Sequence, residues 1–147
     1  MPWLIYTTFI WVLVFVLVNK RFYMLWEKGL LGVVIMVIVD CIGIKLNLYH
    51  YAKGLFYIIG CLPLLHIIGI YAASILYLNW LPQQTSKRIL YTIYFSTLFL
   101  SLEAAMYRAG ALIYPNWKLS YSYLLNMTGL LALAYLTDLF KMIKLKP

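Results

Sequence analysis

Five runs of apolar residues, separated by short clusters of polar and basic positions, set the pattern of this chain. A helix that crosses a bilayer needs about 20 mostly apolar residues, within a range of roughly 17–25. The runs 3–18, 29–46, 58–80, 89–113 and 121–140 fit that template and predict an all-α bundle of five transmembrane helices. The first begins with no basic region and no small-residue cleavage site, so it reads as an uncleaved anchor rather than a signal peptide. The start of the third has two readings: Pro63 kinks the span, or it separates a short interfacial helix at 55–61 from the span proper. No Ser/Gly-rich linker, low-complexity tract or repeat divides the chain, which predicts a single transmembrane domain over residues 1–147.

Composition names the solvent. Hydrophobic residues make up 65% of the 147 and charged ones 11%, with a mean hydropathy of +0.89. Soluble domains run near 45–50% apolar and about 25% charged. A water-soluble fold of this length has no way to hide so much apolar surface, so the expected location is the cell membrane, multi-pass. The polar segments are too short to house a nucleotide-binding or separate catalytic domain.

Orientation follows from the basic residues of the short loops. With the N-terminus outside, the inner segments hold Lys20, Arg21, Lys28, Lys87, Arg88, Lys141, Lys144 and Lys146, whereas the outer loops hold Lys45, Lys53 and Lys118. Eight against three predicts N-out, C-in. Tyr49, Tyr51, Phe56, Tyr57, Tyr114, Trp117, Tyr121 and Tyr123 then crowd the outer boundary, where amphipathic rings prefer to sit. The net charge of +8 points to anionic lipid headgroups as partners, at about 1 kcal/mol per basic residue near the surface. Basic residues spread over several short loops argue against nucleic acid.

Four ionisable side chains, Asp40, His66, Glu103 and Arg108, fall inside these apolar runs. A charge at bilayer depth costs roughly 2.5–3.5 kcal/mol, so such residues usually face a bundle interior and mark a site. The predicted topology places all four in the outer half, with Asn126 beside them on the fifth helix, while the inner half contributes few polar groups. The five form the candidate ligand-binding cluster. Each has a plainer reading. Asp40 also suits a structural carboxylate bonded to Tyr or Asn on a neighbouring helix, His66 a satisfied core histidine, and Asn126 helix-to-helix glue. Glu103 and Arg108, five residues apart, are badly placed to pair along one helix, and Arg108 also suits a snorkel to the outer headgroups.

Other features carry less. Asp138 with Lys141 three residues on reads as an interfacial pair, and Ser101, Ala105 and Ala109 as a small-residue stripe for close packing. Cys41 and Cys61 flank the outer turn and read as two free thiols rather than a disulfide. No C-x-x-C, H-E-x-x-H, G-x-S-x-G or phosphate loop is present, and neither a metal nor a cofactor is expected.

The order of short motifs resembles a family of small five-span membrane proteins of spore-forming Gram-positive bacteria, to which no activity is assigned. The resemblance rests on the basic-aromatic loop NKRFYMLWEKG, the Asp of VIVDCIG, and the outer turn LNLYHY. It continues through LPLLHIIGIY, the Leu-Pro pair of NWLPQQ, the Glu of LSLEAAMYRAG, and YPNWKLSYSY. It implies a bacterial multi-pass protein and singles out Asp40, His66 and Glu103 without naming a reaction.

Three functions are compatible with this pattern. The leading one is non-enzymatic: a polar pocket that binds a small ligand, lipid headgroup or ion, or docks a membrane partner or a second copy. In that reading the carboxylates hold cations and Arg108 holds an anionic group. The second is a membrane enzyme acting on a lipid-linked substrate at the outer interface, with His66 as base and Asp40 or Glu103 orienting it. The third, an ion or proton path, needs polar residues continuing into the inner half.

Overall fold

Each apolar run contains a helix in the computed structural model, which describes the backbone of residues 2–52, 57–58 and 62–144. The helices are α1 (Pro2–Leu17), α2 (Phe22–Lys45), α3 (Leu64–Asn79), α4 (Thr85–Arg108) and α5 (Leu119–Lys144), with a 3₁₀ turn at Asn19–Arg21 between the first two. Several boundaries differ from the sequence expectation for physical reasons. Helix α2 starts seven residues early because Phe22–Lys28 is good helical sequence that continues straight from the 3₁₀ turn. Helix α3 starts only at Leu64: Pro63 is extended (φ −65°, ψ 130°) and stands immediately before the helix. In place of an interfacial helix before it, Tyr57–Ile58 pairs with Leu62–Pro63 as two short antiparallel strands, β2 and β3. The remaining residues of that stretch, and Cys61 with them, lie outside the described residues. Helix α4 stops at Arg108 because Gly110 turns the chain.

That turn has a counterpart. After α2, Asn47 adopts φ 53°, and after α4, Gly110 adopts φ 71°. In both, the next amide reaches back to close the helix: Leu48 N–H donates to Gly43 O and Ala111 N–H to Met106 O, each at 3.0 Å. This is the Schellman closure, in which a left-handed residue satisfies the last helical carbonyls. The chain leaves both helices folded back over the bundle end. There β1 (His50–Tyr51) pairs antiparallel with β4 (Leu112–Ile113), Tyr51 opposite Leu112. Ala52 N–H donates to Ala111 O, and Asn116 N–H to Leu48 O. A small strand cap thus joins the α2–α3 and α4–α5 connections.

Helix α3 packs against both α1 and α2, and α5 against α2 and α4. Every residue from 72 to 79 is buried. Contact with α2 is close because Gly29 and Gly32 carry no side chain: a Cβ at Gly32 would lie 2.0 Å from Ser74 Oγ. At Gly69 it would lie 2.4 Å from the Tyr6 ring. The expected stripe of Ser101, Ala105 and Ala109 is not the packing face of α4; all three are exposed. Arg88, Thr92, Ser96 and Met106 are the residues that α4 buries.

The side-chain distribution is inverted relative to a water-soluble fold. Phe15, Val16, Ile5, Leu90, Val34, Ile38 and Leu124 are among many large apolar residues on the surface, while Asp40, His66, Arg88, Thr92, Ser96 and Thr137 are buried. Among the described residues, Thr85–Arg108 and Leu119–Phe140 are long and apolar enough to cross a membrane. Helices α1 and α3 are apolar but have 16 residues each, about 24 Å at 1.5 Å per residue. Helix α2 has the length but carries Glu27, Lys28, Asp40 and Lys45.

Candidate functional site

The strand cap brings two tyrosines to Asp40. Because Asn47 reverses the chain after α2, Tyr49 and Tyr51 fold back over the end of their own helix. Tyr49 Oη donates to Asp40 Oδ1 and Tyr51 Oη to Oδ2, both at 2.8 Å. His66, one turn into α3, sets Nε2 3.2 Å from the same Oδ2 and 3.0 Å from Tyr51 Oη. The single Tyr51 proton goes to the carboxylate, so the network assigns the Nε2 hydrogen to the imidazole, shared between Asp40 and the phenol oxygen. Burial, and after it the negative charge of Asp40, raise the Tyr49 and Tyr51 hydroxyls well above the usual phenol range. Both therefore stay neutral donors.

A second network surrounds Glu103. Tyr114 Oη donates to its Oε1, Ser122 Oγ donates to Oε1 at 2.5 Å, and Asn126 Nδ2 donates to Oε2 at 3.3 Å. Trp117 Nε1 donates to Ser122 Oγ at 2.7 Å, completing the chain of bonds. The Tyr114 hydroxyl is also raised, by burial first and by Glu103 second. The Tyr49 ring lies between the networks, its centroid 5.4 Å from Trp117 and 6.5 Å from Tyr114.

Both networks line one cavity of about 70 Å³, together with Trp3, Tyr6, Met106 and Phe99. Asp40, His66, Glu103 and Asn126 are thus brought together as the sequence predicts. Arg108 is not. It ends α4, is exposed, and does not line the cavity. The five-residue spacing that keeps it off Glu103's face of the helix is the reason, and the expected cationic corner of the pocket is absent from the lining. His50 pairs with Ile113 in the strand cap and likewise stays outside. Among the described residues no cluster of metal-ligating side chains forms.

Two polar atoms in the lining have no protein partner: His66 Nδ1 and Trp3 Nε1, both buried. Their rings touch, with centroids 4.9 Å apart. Leaving a buried donor or acceptor unmade costs about 1–3 kcal/mol. Tyr49, Tyr51, Tyr114 and Trp117 escaped notice as site residues because in sequence they read as boundary aromatics, and Trp3, Tyr6 and Ser122 because they fall within apolar runs. The available signal was that Tyr49 and Tyr51 follow Asp40 through one tight turn.

The opposite end of the bundle also departs from expectation. Asp138 pairs with Arg88 of α4, Nη1 to Oδ2 at 2.7 Å, while the Lys141 side chain lies outside the described residues. Arg88 is 5% exposed, donates through Nε to Pro82 O at 3.1 Å, and lies over the Tyr135 ring. Tyr77 and Thr92 hydroxyls bond at 2.8 Å beside it. This half is therefore not poor in polar groups. They repeat every four residues along α4 (Arg88, Thr92, Ser96), a helical period that the long apolar run masks. Cys41 is half-buried on α2; its relation to Cys61 falls outside the described residues.

Comparison with protein-family models, curated proteins and solved structures finds no match for this chain. The functional reading rests on the pocket itself.

Proposed function

We propose that this chain is a five-span protein of the bacterial cell membrane, N-terminus outside, that binds the positively charged or donor-rich head of a small ligand in its strand-capped pocket. Its membership of the five-span family of spore-forming bacteria is part of the same proposal. Support for five spans comes from the apolar surface, with large apolar side chains exposed on α1, α2, α4 and α5, and from the eight-to-three bias of basic residues. That bias puts the strand cap on the outer face. Helices α1 and α3 are short for a bilayer core of about 30 Å, and local thinning of the bilayer accommodates them.

The observation that carries the ligand reading is the charge of the lining. Two carboxylates, Asp40 and Glu103, face one cavity, and among the described residues that line it there is no lysine or arginine. Such a pocket repels phosphates and carboxylates and attracts ammonium groups, an effect strengthened away from bulk water. Aromatic walls add cation–π attraction.

The test uses purified protein in phosphatidylglycerol nanodiscs, titrated with tetramethylammonium or inorganic phosphate. The cation should bind saturably and phosphate should not. Asp40→Asn and Glu103→Gln should each weaken the cation about ten-fold, or ~1.4 kcal/mol. Absence of cation binding, or binding unchanged in both variants, contradicts the reading.

A second reading, a membrane enzyme acting on a lipid-linked substrate, has the His66–Asp40 contact of 3.2 Å in its favour. The carboxylate would hold the imidazole through Nε2, leaving Nδ1 as the base. Turnover of a lipid-linked substrate that is lost in His66→Gln, with cation binding retained, would favour this reading over simple binding.

A further inference from the structure

Below the polar pocket lies a second cavity of about 80 Å³ between α2, α3 and α5, lined by Gly32, Ile35, Ala73, Gly129, Leu130 and Leu133 among others. It shares Met36, Ile70, Phe99, Leu125 and Asn126 with the first, so the two share a wall. Its own polar group, Ser74, is already satisfied, donating to Ile70 O at 2.8 Å. An apolar cavity of this kind stays dry and takes apolar guests. Glycine shapes it: a Cβ at Gly129 would meet no atom within 4 Å. On α2 the step from Asp40 to Gly32 is eight residues, about 12 Å along the axis.

We infer that the two cavities form one head-and-tail site, and that its occupant is a single-chain alkylammonium amphiphile drawn from the outer leaflet. The inference rests on the cationic-head reading above and adds the tail. The carboxylates and aromatic rings select the ammonium, and the adjoining slot takes the alkyl chain down the α2–α5 seam. A double-chain anionic lipid is disfavoured by the acidic head pocket.

The experiment compares tetramethylammonium, butyltrimethylammonium and octyltrimethylammonium in phosphatidylglycerol nanodiscs, each corrected for its partition into empty discs. Each methylene buried in the slot is worth up to about four-fold in affinity. Wild type should therefore prefer octyl over butyl by at least ~ten-fold. Gly129→Leu, which fills the slot, should cut that preference below ~three-fold while tetramethylammonium binds as before. If Gly129→Leu does not accumulate, Leu130→Phe narrows the same slot from the adjacent position. An octyl preference equal in wild type and the filled variants would place the tail in bulk lipid and overturn the inference alone. Failure of tetramethylammonium to bind wild type would overturn the head reading with it.

Discussion

At Asp40 one carboxylate performs two tasks. It accepts from Tyr49 and Tyr51, which ties the strand cap to the bundle, and from His66, which fixes the imidazole. Tyr51→Phe removes the donor and leaves Asp40 Oδ2 with His66 alone, so a loss of about 1–3 kcal/mol in unfolding free energy is expected in a denaturation series. The sign of the pH effect follows from the raised phenols. Tyr49, Tyr51 and Tyr114 hold their protons more tightly when folded, so their contribution is intact below about pH 10 and is lost as pH rises beyond it. Phenolate absorbance in the folded protein should appear above the ordinary phenol midpoint for these three; titration of all fourteen tyrosines near pH 10 would contradict the buried networks. The sequence made Asp40, His66, Glu103 and Asn126 visible because a polar group in an apolar run is conspicuous. Their tyrosine partners were not visible, since an aromatic residue at a boundary looks the same whether it faces lipid or a carboxylate.

At the scale of elements, the pocket depends on how two helices end. Asn47 and Gly110 occupy the left-handed region, and both turns feed strands of one cap. A side chain at Gly110 meets no neighbour within 4 Å, so the cost of Gly110→Ala is conformational alone, roughly 1–2 kcal/mol. That loss should appear as a lower melting midpoint with cation affinity nearly unchanged; an unaltered midpoint would mean the closure contributes little. Helix existence was legible from the apolar runs, whereas their ends were not. Pro63 was legible as a break, whereas Gly110 is an ordinary loop residue on paper, and only the hydrogen bonds that close its turn show why α4 stops early. The small-residue stripe on α4 misled for a related reason: close packing fell instead to Gly29 and Gly32, opposite Tyr71, Ile75 and Ser74.

For the whole molecule, buried polarity is concentrated at both ends. The Arg88–Asp138 pair joins α4 to α5 away from the pocket, and Arg88→Ala removes that bond together with the one to Pro82 O. A loss of about 1–3 kcal/mol is expected, with restoration in Arg88→Lys only partial because a lysine lacks the planar fork. Full stability in Arg88→Ala would show the pair to be incidental. The central claim is that an acidic pocket opens toward the outer face. It is tested most directly by the rate at which Met106→Cys, in a Cys41→Ala and Cys61→Ala background, is modified in right-side-out vesicles. The reagents are membrane-impermeant methanethiosulfonates of similar size, one carrying trimethylammonium and one carrying sulfonate. Met106 lines the pocket and its side chain makes no hydrogen bond there. The cationic reagent should react at least ~ten-fold faster than the anionic one, relative to their rates with a free thiol, as two nearby carboxylates require. Equal rates, a faster anionic reagent, or reaction only from the C-terminal side would contradict the account.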